Sequence, residues 1–447
     1  MICSLFFYGY WRIEYLALII LSICINFALG NYLLSQVLYR KIIATLGIAL
    51  NLFVILLFKY ANFTVEQVNI FLEQPIHLEQ IFLPLAISFF TFQQIAYLVE
   101  CYRYNTPKHT FAQYMLFVTF FPQLIAGPIV QFKDIHPQIT SLSTTNTSAI
   151  NLATGICLFS IGLFKKTVIA DSLAPYANMV FDNPDTTITL LSAWQGTLAY
   201  TFQLYFDFSG YSDMAIGLGY MFGFTLPVNF NSPYKARNIS DFWRRWHITL
   251  SSFLRDYLYI PLGGNKFGQV KRYRNLLITM LLGGLWHGAG WNFILWGGLH
   301  GLYLSIHHFW RSFIERTFPA LFKVRVYRTA SLIVTFIVVC IAWVFFRSHD
   351  LNTATSILMG MFGANGVAIP NAIYVRLPLN ELIQSMGITT YLGGGSNFVK
   401  AWGLIIIATI IAIGAPNSNQ IIAKLTSQTA HGSYLLDFRI GALSSMH

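Results

Sequence analysis

The chain has 447 residues, 55% of them hydrophobic and only 10% charged, with a formal net charge of +11. Soluble globular proteins carry about 25% charged residues, so this composition excludes a water-soluble protein and makes the bilayer its solvent. The basic residues lie between apolar runs, as in cytoplasmic loops that follow the positive-inside rule, which argues against a nucleic-acid partner.

A helix needs roughly 20 apolar residues to span a bilayer. Candidate spans fall at 14–34, 42–59, 80–100, 112–130, 150–170, 188–206, 211–226, 275–290, 291–310, 329–347 and 400–415. They predict an all-α polytopic membrane protein, a single domain over 1–447 with roughly ten membrane helices. The opening "MICSLFFYGYWRIEYLALIILSIC" carries Arg12 and Glu14 in its middle and lacks a small-residue cleavage site. It therefore reads as helix and rim, not as a cleavable signal. "FFPQLIAGPIV" (120–130) and "LLGGLWHGAG" (281–290) break their runs with Pro or Gly. Broken helices survive at membrane depth where protein or a watery cavity surrounds them, so they suggest a cavity, or else simple kinks.

"YTFQLYFDFSGYSDMAIGLGYMFGF" (200–224) holds Asp207 and Asp213 among aromatic residues. Buried carboxylates need partners. They either tie helices together by pairing with an arginine of 235–274, or orient a catalytic histidine. Segment 235–274 sets nine cations against Asp241 and Asp256, which puts it on the cytoplasmic side. Within it, 238–264 has the period of one amphipathic interfacial helix, N-capped by Asn238. Trp243, Trp246, Leu250, Phe253 and Tyr257 share one face, and Arg244, His247, Ser251 and Arg255 another. Residues 350–399 read as a long loop on the opposite side. The five cysteines have no metal-ligand spacing and read as small buried hydrophobes.

His287 is the sharpest chemical candidate, because an ionisable group inside a membrane is a functional hypothesis by default. Gly283, Gly284, Gly288 and Gly290 around it would let a substrate or another backbone approach closely. A histidine hydrogen-bonded between helices is the structural alternative. His300 lies thirteen residues on, nearly opposite His287 on a continuous helix. It reads as structural, as do His307 and His308. A Gly-x-Ser-x-Gly elbow, a P-loop, a dinucleotide fingerprint and a dense ligand cluster are all absent from the sequence. A histidine base in a membrane cavity suits transfer of an activated acyl group to a hydroxyl, without metal or redox cofactor. A lipid-linked sugar transporter or flippase is the alternative from another class.

The runs 198–224, 229–265 and 274–301, together with "LPLAISFFTFQQIAYLVE" (83–100), "FFPQLIAGPIVQFKDI" (120–135) and "GLFKKTVIADSLAP" (162–175), resemble the membrane-bound O-acyltransferase family. The likeness is most specific over 198–301 and points to the branch that contains the alginate O-acetylation membrane protein. It implies a helical bundle around a central tunnel, with the core at about 198–301. It also implies a donor such as acetyl-CoA or another acetyl thioester arriving from the cytoplasm, and no permanently bound cofactor or metal. A cell-surface polysaccharide acceptor, periplasmic partner proteins, surrounding membrane lipids and a bacterial inner-membrane location follow from the same likeness. His287, in its "WHG" setting, corresponds to the family's catalytic histidine, and His247 to its second polar position. Arg244, Arg245 and Arg255 are candidates for the donor's phosphates. Relative to the family pattern, the chain is expected to lack a first helix and, after "DFRIGALSSMH" (437–447), a last one. An inactive, shortened acyltransferase is therefore a further reading.

Overall fold

The computed structural model describes residues 2–35, 38–103, 106–124, 127–141, 148–183, 187–378 and 380–429; the stretch 437–447 lies outside them. In chain order, the helices that frame the site are α1 (Glu14–Leu34), α2 (Arg40–Asn69), α3 (Ile87–Tyr102), α4 (Ala149–Phe181), α5 (Leu190–Met221), α6 (Ile239–Arg245), α7 (Ile248–Leu254), α8 (Gln269–His287), α9 (Trp291–Thr317), α10 (Arg325–Arg347) and α11 (Gly395–Gly414). By length and composition, α1, α2, α4, α10 and α11 are each able to cross a membrane. Helices α3 and α5 bury most of their length inside the bundle. This is an all-α, multi-pass membrane protein.

The spans expected at 188–206 and 211–226 are one helix: α5 runs unbroken for 32 residues. The glycines along it serve packing. Gly155 and Gly162 of α4 face Gly217 and Gly210 of α5. A Cβ on Gly155 would lie 2.6 Å from the Gly217 carbonyl oxygen. Lipid offers no hydrophobic drive between helices, so small residues that bring backbones together supply the contact. Ion pairs reinforce this interface. Lys165 meets Asp213 at 2.5 Å and Lys166 meets Asp207 at 2.7 Å across it, and Lys166 also meets Asp171 of its own helix at 2.6 Å. Asp207 and Asp213 thus tie helices together as expected, but their partners are lysines of α4 and not arginines of 235–274, and neither bonds to a histidine. The lysines stand directly across the helix contact and meet the carboxylates first.

The single helix expected over 238–264 is two. Asn238 does cap its start, accepting from the Asp241 amide at 2.8 Å, but α6 ends at Arg245. Trp246 is extended and His247 left-handed, at φ 42°, ψ 55°, before α7 begins. The irregular segment Asn229–Asn231 makes the break possible. The Arg245 carbonyl accepts from the Asn231 amide, and the Ile248 amide donates to the Asn229 carbonyl, both at 2.9 Å. Ile239, Phe242, Trp243, Trp246, Leu250 and Phe253 are all buried, so the pair lies within the protein and not flat at the interface.

The expected break at 281–290 is present: α8 ends at His287, Gly288 is extended and α9 starts at Trp291. Near 120–130, the helix Phe111–Thr119 gives way to a short turn, Phe121–Leu124; Ile125 and Ala126 lie outside the described residues. Residues 350–399 are more ordered than a loop. A helix, Leu351–Met361, is capped by Asp350, which accepts from the Thr353 amide at 2.7 Å. Ala368–Pro370 pairs in parallel with Thr389–Tyr391. Cys101 and Cys340 are buried as expected, but Cys3, Cys24 and Cys157 face outward.

Candidate active site

Where α2, α3, the α6–α7 break and the end of α8 meet, a cavity of about 250 Å³ is lined by Lys59, Ala86, Ser88, Phe208, His247, Trp286 and His287 among others. Three non-glycine residues among those described have positive φ, and two of them, Ala86 (58°) and His247 (42°), line this cavity. Such conformations cost about 1–3 kcal/mol each and persist where the surroundings force them, typically at functional sites.

His247 is almost wholly buried, at 1% exposure. Its Nδ1 lies 3.1 Å from Asn229 Oδ1. That oxygen also accepts from the Thr249 hydroxyl at 2.9 Å and the Thr249 amide at 3.3 Å. Asn229 Nδ2 donates to Ser212 Oγ at 3.3 Å, which fixes the amide's orientation. His247 therefore donates from Nδ1, and a neutral ring keeps its lone pair on Nε2, which has no hydrogen-bond partner among the described residues.

His287 sits on the last residue of α8. Its ring packs edge-on against Trp286, Trp296 and Phe346, with centroids 4.8, 4.9 and 5.1 Å away. These rings hold the imidazole against the cavity wall. Of the glycines around it, Gly284 and Gly288 serve packing and leave no room for substrate. Gly284 touches the backbone of Gly297, and a Cβ on Gly288 would enter the Phe293 ring. They let α8 and α9 pack backbone to backbone as a tight hairpin.

The hairpin also removes the assumption of a continuous helix behind the opposite-face reading of His300. Trp296 stands between the two histidines, with His300 packed 4.8 Å behind it. His300 accepts from Trp243 Nε1 at 3.3 Å and does not line the cavity. His308 contacts Arg272 at 2.8 Å. None of the three arginines lines the cavity. Arg245 pairs with Asp241 at 2.9 Å, Arg255 with Asp256 at 2.6 Å, and Arg244 is exposed.

Two residues of the site escaped sequence reading. Asn229 carries no local signal. Lys59 carries one: it is an ionisable group in an apolar run, but a span ending at 59 makes it a rim cation. Helix α2 continues to Asn69 through a π turn, Leu56–Tyr60, and brings Lys59 into the wall. Such turns are frequent at functional sites. Among the described residues, no three His, Cys, Asp or Glu gather as a metal site.

Fold and site together define a multi-pass membrane protein with a two-histidine cavity inside its bundle. A family model described as "MBOAT, membrane-bound O-acyltransferase family" matches residues 5–348. The chain is 45% identical over 395 residues to a peptidoglycan O-acetyltransferase of Helicobacter pylori, covering 82% of this chain and 74% of the relative. It is 44% identical over 374 residues to a "Probable alginate O-acetylase AlgI" of Pseudomonas aeruginosa, covering 81% and 69%. A teichoic acid D-alanyltransferase of Streptococcus thermophilus is 30% identical over 246 residues, covering 51% and 57%. The chain belongs to the membrane-bound O-acyltransferase family, and its activity is O-acyl transfer.

Proposed function

We propose that this protein takes acetyl from a cytoplasmic thioester, such as acetyl-CoA, and passes it across the bacterial inner membrane for O-acetylation of a cell-surface polysaccharide. Peptidoglycan and an alginate-like polymer are the acceptors that the relatives' names support. Partner proteins on the far side complete the transfer. The observation that carries this reading is the convergence of His287 and His247 on one cavity in a chain of this family.

His287 is the general base. It takes the proton as the acceptor hydroxyl attacks the acyl carbon, a role worth about 10²–10⁴-fold in rate. His247, its tautomer set by Asn229, presents Nε2 to the same space and orients the donor. Of the three candidate arginines, Arg244 is the one without a carboxylate partner among the described ion pairs, and it meets the donor's phosphates at the cytoplasmic entry. The functional core is 198–301, joined by the parts of α2 and α3 that close the cavity, in one domain.

The test is the acetate that mild alkali releases from the surface polysaccharides of a strain lacking its own copy. The strain is complemented with wild type or with His287→Ala at equal membrane levels. Acetate restored by wild type alone is the expected result, and the acetylated polymer names the acceptor. Equal restoration by both overturns the assignment of the base.

A further inference from the structure

Lys59 is the least explained group in the cavity. Its Nζ donates to the carbonyl of Trp286, the residue before His287, and lies 5.6 Å from the centre of the Trp286 ring. Among the described residues, no carboxylate stands within ion-pair distance of it. The walls around it are mostly apolar, with Leu83, Ile87, Phe89 and Phe208. An ammonium has three N–H donors, and the Trp286 carbonyl uses one. A cation in a mostly apolar cavity without a fixed anion is unfavourable at rest, so an anion that forms beside it during turnover is strongly stabilised.

From this we infer that Lys59 is a catalytic residue: its ammonium stabilises the oxyanion of the tetrahedral intermediate. The inference rests on the acyl-transfer reading above. In the first step, the acceptor oxygen forms a bond to the thioester carbonyl carbon. His287 takes the hydroxyl proton, and the carbonyl π pair moves onto oxygen beside Lys59. In the second step, that pair returns, the C–S bond breaks, and the thiolate leaves with the proton from His287. The Trp286 carbonyl holds the ammonium one residue from the base, so charge stabilisation and proton transfer stay in register.

Tyr60 provides the control. Its hydroxyl donates to the Leu285 carbonyl, so it ties the same helix end without bringing charge and without lining the cavity. Membrane vesicles from the expressing strain are given labelled acetyl-CoA, and alkali-labile ester is followed at varied donor concentration. Lys59→Met should lower the maximal rate about 100-fold with little change in donor KM. Lys59→Arg should keep at least about tenfold more activity than Lys59→Met, and Tyr60→Phe should stay within about threefold of wild type. A near wild-type Lys59→Met overturns the role of Lys59 alone. So does a Tyr60→Phe that falls as far as Lys59→Met, because Lys59 then acts by tying the helix end. Wild-type vesicles that transfer no acetyl sink the functional reading and the oxyanion role with it.

Discussion

At His247 the left-handed backbone and the side-chain network have one cause. A histidine that continued a regular helix from α6 would turn with its face; the break lets its ring reach Asn229 and the cavity together. Asn229→Leu removes the acceptor that selects the Nδ1–H tautomer and strands the Thr249 hydroxyl. Transfer should fall at least about tenfold while the protein still reaches the membrane, measured as alkali-labile acetate against immunoblot level. Unchanged transfer would show that the tautomer is immaterial. His287 stands out in the sequence as an ionisable group in a charge-free run, but so does His300; only the family likeness separates the two. The importance of His247 enters only through family likeness, since its own segment reads as a surface stripe. Lys59 and Asn229 join the site only through contacts that periodicity cannot reveal.

Among the elements, the α4–α5 contact joins glycines to ion pairs at the same depth. The Lys165 and Asp213 side chains are only 11% and 7% exposed. Removing one partner leaves a buried charge alone. Lys165→Met should therefore destabilise by about 3–5 kcal/mol, and Lys165→Met with Asp213→Leu should recover most of that loss in detergent melting curves. No recovery in the double variant would mean that the pair matters for more than charge balance. Asp350, which caps Leu351–Met361, makes a smaller contribution. Its Thr353 amide bond holds the carboxyl below its ordinary pKa. A depressed carboxylate stabilises above the unfolded value and loses that effect as pH falls through the folded one. Asp350→Ala should thus cost about 1 kcal/mol at neutral pH and less in acid, read from melting curves at both. Helix existence was readable from apolar runs. Helix ends were not, because Gly210 in α5 looks the same in sequence whether it ends a helix or receives a neighbour.

For the whole molecule, the charge pattern predicts which side each segment faces. In a cysteine-free background, a cysteine replacing exposed Lys266 should react with an impermeant thiol reagent only from the cytoplasmic side. One replacing Leu392, 89% exposed, should react only from the other. The reverse pattern would invert the direction of acyl transfer proposed here. The all-helical, multi-pass architecture was legible from composition and apolar runs alone. The cavity's shape was not, because it depends on how breaks in distant helices meet.

The bond from Lys59 to the Trp286 carbonyl joins residues 227 positions apart. During synthesis, α2 enters the bilayer long before α8 is made, and the lysine waits there without its carbonyl. No nascent fragment that ends before residue 287 contains both Lys59 and His287. If the two residues act as proposed, a ribosome stalled before residue 287 leaves a membrane-inserted chain that cannot yet transfer an acyl group to water.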